Sequence, residues 1–66
     1  MKPGDLCRWN YPAELLPTSF GGAEIFVITR VEGDRDRADF LINGRLVKSW
    51  SYNWVCRHSE VVNETG

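Results

Sequence analysis

Cys7, Cys56 and His58 are the residues of this chain best suited to covalent or metal chemistry, and their small number limits what they can do. Two cysteines without C-x-x-C spacing and a single histidine cannot complete a four-ligand zinc site within one chain. Cys56 and His58 lie two apart, so on an extended strand both side chains would project to one side, as a nucleophile and its base must. Such a pair also needs an orienting group and an oxyanion hole, and the neighbouring sequence announces neither. No catalytic residues are expected. Cys7 reads as a small buried hydrophobe.

The carboxylates offer no stronger lead. Asp34, Asp36 and Asp39 are close enough to suggest a calcium loop. However, Arg35 and Arg37 alternate with them, and no Gly or terminal Glu follows at the spacing such a loop needs. Gly33–Arg37 reads instead as a solvated hairpin tip. No glycine-rich loop opens onto a helix to cradle a phosphate. Asn63-Glu64-Thr65 matches a glycosylation sequon, which without a signal peptide is a chance match. No metal and no cofactor are expected.

Recognition is better represented than reaction. Arginine outnumbers lysine six to two, and three tryptophans stand at positions 9, 50 and 54. Trp, Tyr and Arg are enriched at interface hot spots because they join large apolar area to a polar or planar handle. Large aromatics also fill the core of a very small domain economically. Arginines with tryptophans can alternatively form a basic, stacking surface for single-stranded nucleic acid. Eight basic residues against nine acidic ones, alternating in sign, argue against the basic footprint such binding needs.

The scaffold that must position these residues is small. Sixty-six residues, 42% hydrophobic and 26% charged, make one domain near the lower limit for a sizeable core. A βαβ unit alone would consume about half the chain, which excludes a two-domain cofactor-binding enzyme. The longest apolar run, Ile25–Ile28, is far short of the ~20 residues that span a bilayer. Met1–Asp5 lacks an apolar h-region, so no secretory signal is expected.

Pro3-Gly4-Asp5 punctuates the start, and Leu6-Cys7-Arg8-Trp9 reads as a short strand. Asn10–Gly22, with Pro12, Pro17 and Gly21-Gly22, excludes a continuous helix or central strand. Ala13–Leu16 can form one helical turn with Pro12 at its start. Leu15, Leu16 and Phe20 are apolar for a loop, which therefore folds over the core or presents a contact surface. Glu24–Glu32 is the best strand, rich in β-branched and aromatic residues. Ala38–Ile42 follows, then Asn43-Gly44, the pair that most readily supplies two positive φ angles for a two-residue hairpin. The return strand is predicted to run from Arg45 through Trp54, with Trp50, Tyr52 and Trp54 on one face. A tight 3₁₀ turn is expected at Cys56–Ser59 and a last strand at Glu60–Val62.

Lys2-Pro3-Gly4-Asp5-Leu6-x-Arg8-Trp9, the Val/Ile strand, the Asn-Gly hairpin and Glu60-Val61-Val62 together resemble small SH3-like barrel proteins of tailed phages, including phages of cyanobacteria. Ser59 stands where that pattern has Leu, and Lys48–Cys56 is several residues longer. The resemblance implies that first and last strands pair, which would bring Cys7 and Cys56 near enough for a disulfide; a reducing cytosol argues against one. The expected fold is therefore all-β: a five-stranded SH3-like barrel with a long early loop and a short 3₁₀ turn before the last strand. It forms one domain over residues 1–66, with a polar tail at 63–66. The expected function is a non-enzymatic protein–protein interaction module, a small structural or decorating part of a virion or a factor binding a host protein. Its partner would be another protein, copies of itself or virion proteins, met in the virion or host cytoplasm. Nucleic-acid binding is the alternative, and no membrane is involved. The contact candidates are Leu15, Leu16, Phe20, Trp50, Tyr52 and Trp54, with Arg35 and Arg37 at the rim.

Overall fold

The β-branched and aromatic segments form strands where expected. In the computed structural model, which describes residues 1–62, they are β1 (Leu6–Trp9), β2 (Ile25–Glu32), β3 (Arg37–Ile42), β4 (Arg45–Ser51) and β5 (Ser59–Val61). The tail and the sequon at 63–66 lie outside the described residues. All five strands join one antiparallel sheet in the order β4-β3-β2-β1-β5. The chain is thus a small all-β, barrel-like fold, and its first and last strands do pair, Cys7 facing Val61 and Trp9 facing Ser59.

Asn43 and Gly44 adopt φ of 51° and 74°, the two positive angles required of the β3–β4 turn. That turn fixes the pairing of Ile42 with Arg45, Leu41 with Leu46 and Phe40 with Val47. A side chain at Phe40 or Ile42 then faces inward, and one at Leu41 faces out.

The segment after β4 departs from expectation. The strand ends at Ser51, and Tyr52–Arg57 form a helix, α1, in place of the 3₁₀ turn expected later in the chain. Three polar contacts start it. Ser51 Oγ accepts the Trp54 N–H at 3.2 Å as an N-cap, while Asp36 accepts the Asn53 N–H at 2.7 Å and the Ser51 hydroxyl at 2.8 Å. Asp36 lies 17 residues before Asn53, beyond the reach of any local pattern. Ser59 is buried and its hydroxyl donates to the Val55 carbonyl.

Among the described residues no β4–β5 ladder closes the barrel; α1 instead touches β3, β4 and β5 and occupies the gap between the two edge strands. Val55, fully buried, pins the helix to the core. The core is aromatic. Trp9 stacks on Phe26 at 4.1 Å and on Phe20 at 5.5 Å, with Phe40 edge-on at 5.8 Å. Few large rings thereby fill the volume that a longer chain would fill with many aliphatics.

Candidate functional site

The early loop folds back over the core. Two 3₁₀ turns, Ala13–Leu15 and Thr18–Phe20, carry it, with Pro12 and Pro17 at their starts. Leu16 and Phe20 are consequently core residues, at 7% and 0% exposure, and offer no contact surface; Leu15 remains 61% exposed. Apolar character in this loop serves folding more than recognition.

Trp50, Tyr52 and Trp54 do not share a strand face. Trp50 ends β4, whereas Tyr52 and Trp54 lie on α1, where residues two apart point to different sides. Trp50 and Trp54 still meet, ring against ring at 5.8 Å, both half-buried. Tyr52 turns away and donates its hydroxyl to the Met1 carbonyl at 3.2 Å. Arg35 and Arg37 occupy the β2–β3 tip. Arg35 lies 3.9 Å from Glu32, and Arg37 pairs across the sheet with Glu32 and Ser51.

The cysteines are free: Cys7 is buried in β1, and Cys56 is exposed on α1. Burial, with the Asp5 charge adding to it, pushes the Cys7 thiol up to about 11, so this sulfur stays protonated and inert. His58 caps the C-terminus of α1, and its ring sits between Tyr11 at 4.5 Å and Trp54 at 4.9 Å. It is held among aromatics and not on an extended strand with Cys56. Two of the tip carboxylates build structure. Asp36 starts α1, and the Asn53 N–H and Ser51 hydroxyl bonded to it hold its carboxyl below the usual range. Asp39 accepts the Ser49 N–H at 2.9 Å, supporting a β4 bulge where Ser49 takes a φ of 57°. Among the described residues no three His, Cys, Asp or Glu converge as metal ligands, and no pocket opens.

The most distinctive surface was not among the candidates. Leu6, Val27, Leu41 and Leu46 are direct cross-strand partners, one from each of β1 to β4. They form a single aliphatic row on the outer face of the sheet, about 14 Å long at ordinary strand spacing. Val62, just past β5, extends the row, its N–H donating to the Leu6 carbonyl at 2.8 Å. Ile25 adds to the row beside Val27, since residues two apart share a face. Ile25, Leu41 and Leu46 are 49%, 44% and 51% exposed, Leu6, Val27 and Val62 are half-buried, and among the described residues none of these six belongs to the core cluster. The exposed aliphatic area is on the order of 300 Å², the size at which a patch on a monomer is often functional. A signal for it existed: Ile25–Ile28 and Phe40–Ile42 are continuously apolar, whereas a sheet solvated on one face alternates.

Charges of both signs flank the row. Arg8 and Glu60, cross-strand partners 3.6 Å apart, lie on one side. Arg30 and Asp39, also partners, lie on the other, with Lys48 on the same face by alternation from Val47. The arginines do not gather: Arg8 pairs with Glu60, and Arg30 and Arg35 both pair with Glu32. No helix of the described residues is long and apolar enough to cross a membrane.

No family model matches this sequence, and neither a curated protein nor a solved structure matches it.

Proposed function

We propose that this chain is a non-enzymatic protein–protein interaction module that docks through the outer face of its sheet. The observation that carries this reading is the aliphatic row Leu6–Val27–Leu41–Leu46, held on a rigid hydrogen-bonded frame, with Leu41, Leu46 and the adjoining Ile25 about half exposed. Leucines held outside the core, with polar rims, suit a protein surface better than a reaction, which needs a recess that excludes water. The resemblance to small phage SH3-like barrels supports a structural or decorating role in a virion, or binding to a host protein.

Nucleic-acid binding draws less support. The arginines are dispersed and three are paired with carboxylates. Trp9 is stacked within the core, so it has no free face for a base.

The test is quantitative co-purification from the native source, comparing wild type with Leu41→Glu and Leu15→Glu. Wild type and the Leu15 variant are expected to capture a protein on chemical cross-linking before purification, either a second copy or another chain, which the Leu41 variant loses. Equal retention by all three, or retention of no protein by a wild type that also stays monomeric up to about 1 mM, would overturn the reading.

A further inference from the structure

Resting on that reading, we propose that the occupant of the aliphatic row is a second copy of this chain, packed sheet face against sheet face about a two-fold axis. Three features select a copy over a different partner.

The first is charge. Each rim of the row carries both signs, Arg8 with Glu60 on one side and Asp39 with Arg30 and Lys48 on the other. A strongly acidic or basic partner would meet like charge at either rim. A copy, being itself of mixed sign, can set carboxylates against arginines when turned about a two-fold axis. The formal net charge of −1 also leaves almost no long-range repulsion between copies.

The second is chemistry and shape. The row offers only aliphatic side chains, with no hydroxyl, amide or ring to read a specific polar group. A gently twisted aliphatic sheet face is complemented by another such face, as in aligned sheet packing with ~10 Å between layers. Interfaces between identical subunits are correspondingly more apolar than those between different proteins.

The third is what the edges forbid. β4, an outer strand of the sheet, carries Lys48 and a bulge at Ser49 with a φ of 57°, so its edge is a poor template for strand addition. At the opposite edge β5 has only three residues. Copies therefore associate by face and not by edge.

Size sets the strength. The aliphatic area is less than half of the ~800 Å² per partner of a standard interface, so the rims must contribute. Association is accordingly weak, half complete at roughly 10–100 μM.

Sedimentation equilibrium of the full chain, from about 10 μM to about 1 mM and with a reductant to keep Cys56 from cross-linking, tests this directly. The average mass is expected to rise from 7.6 kDa toward twice that value. Leu41→Glu sets a carboxylate in the middle of the row and is expected to hold the chain monomeric at every concentration, while Leu15→Glu dimerises like wild type. Circular dichroism checks the fold, and Leu46→Ser replaces Leu41→Glu if the latter unfolds. A wild-type chain monomeric at the highest concentration, or a dimer unaffected by Leu41→Glu and Leu46→Ser, overturns the proposal. If wild type is monomeric yet loses a different co-purifying protein on Leu41→Glu, only the identity of the occupant fails. If co-purification is also blank, the interaction reading fails with it.

Discussion

Val55→Ala is the sharpest probe of how this domain closes, because Val55 is the buried residue of the helix that bridges the sheet edges. The side chain is fully buried, so truncation to Ala removes about two methylene equivalents at ~0.8 kcal/mol each. The cavity left beside the aromatic core adds to this, and the higher helix propensity of Ala returns about 0.5 kcal/mol. The expected loss is about 2 kcal/mol, a large share of the ~3–10 kcal/mol available to a chain of this length. In thermal terms it corresponds to a fall in Tm of roughly 8–16 °C. Urea unfolding followed by tryptophan fluorescence is a suitable assay, since Trp54 on the same helix packs on Trp9 and Trp50 at 5.6 and 5.8 Å. Asn53→Ala, on the exposed side of the helix, changes the backbone contact to Asp36 little and serves as the control. A loss below about 0.5 kcal/mol, the size of an ordinary surface substitution, would show that α1 is not docked through Val55. The account of closure by the helix would then be wrong.

Further outcomes follow from the same contacts. Asp36 has a lowered pKa, so its contribution is present above the unfolded carboxylate value of ~3.9 and is lost as pH falls through the lower folded value. The stability gap between wild type and Asp36→Asn, measured by urea melts from neutral to strongly acidic pH, should be widest above about pH 4 and narrow below it; a gap independent of pH contradicts the helix-starting role. Gly21→Ala should destabilise by about 1–2 kcal/mol or more, since Gly21 holds a φ of 64° and an added Cβ would strike the Asn43 side chain. Thermal melts check this, and an unchanged Tm refutes it. Thiol labelling followed by mass spectrometry should modify Cys56 quickly and Cys7 only on unfolding, given their exposure and the raised Cys7 pKa. Equal rates in native buffer would show that β1 opens locally.

What could be read directly was local in origin. The Asn43-Gly44 turn is set by two adjacent residues that tolerate positive φ, and it carries the register of β3 on β4 with it. The β2 strand followed from its β-branched run, and the burial of Cys7 from an apolar neighbourhood within a short strand. The surface proposed for docking was only half legible. Continuous apolar runs showed that both faces of β2 and β3 are hydrophobic. Which leucines align into one row depends on pairing between strands far apart in the chain.

The sequence by itself determined an all-β domain, its tightest turn and the absence of any continuous helix or strand through the early loop. Neighbouring residues settle such features through φ, ψ preference and alternation. The tertiary structure alone decided three matters: that Tyr52–Arg57 coil into a helix, that Leu16 and Phe20 go inside, and that the aliphatic row stays outside. Alternating aromatics at 50, 52 and 54 favour a strand locally. The cap from Asp36 and the gap between β4 and β5, which Val55 fills, override that preference. Those contributions exist only once distant segments have met, and in a chain of 66 residues a few such contacts outweigh local propensity.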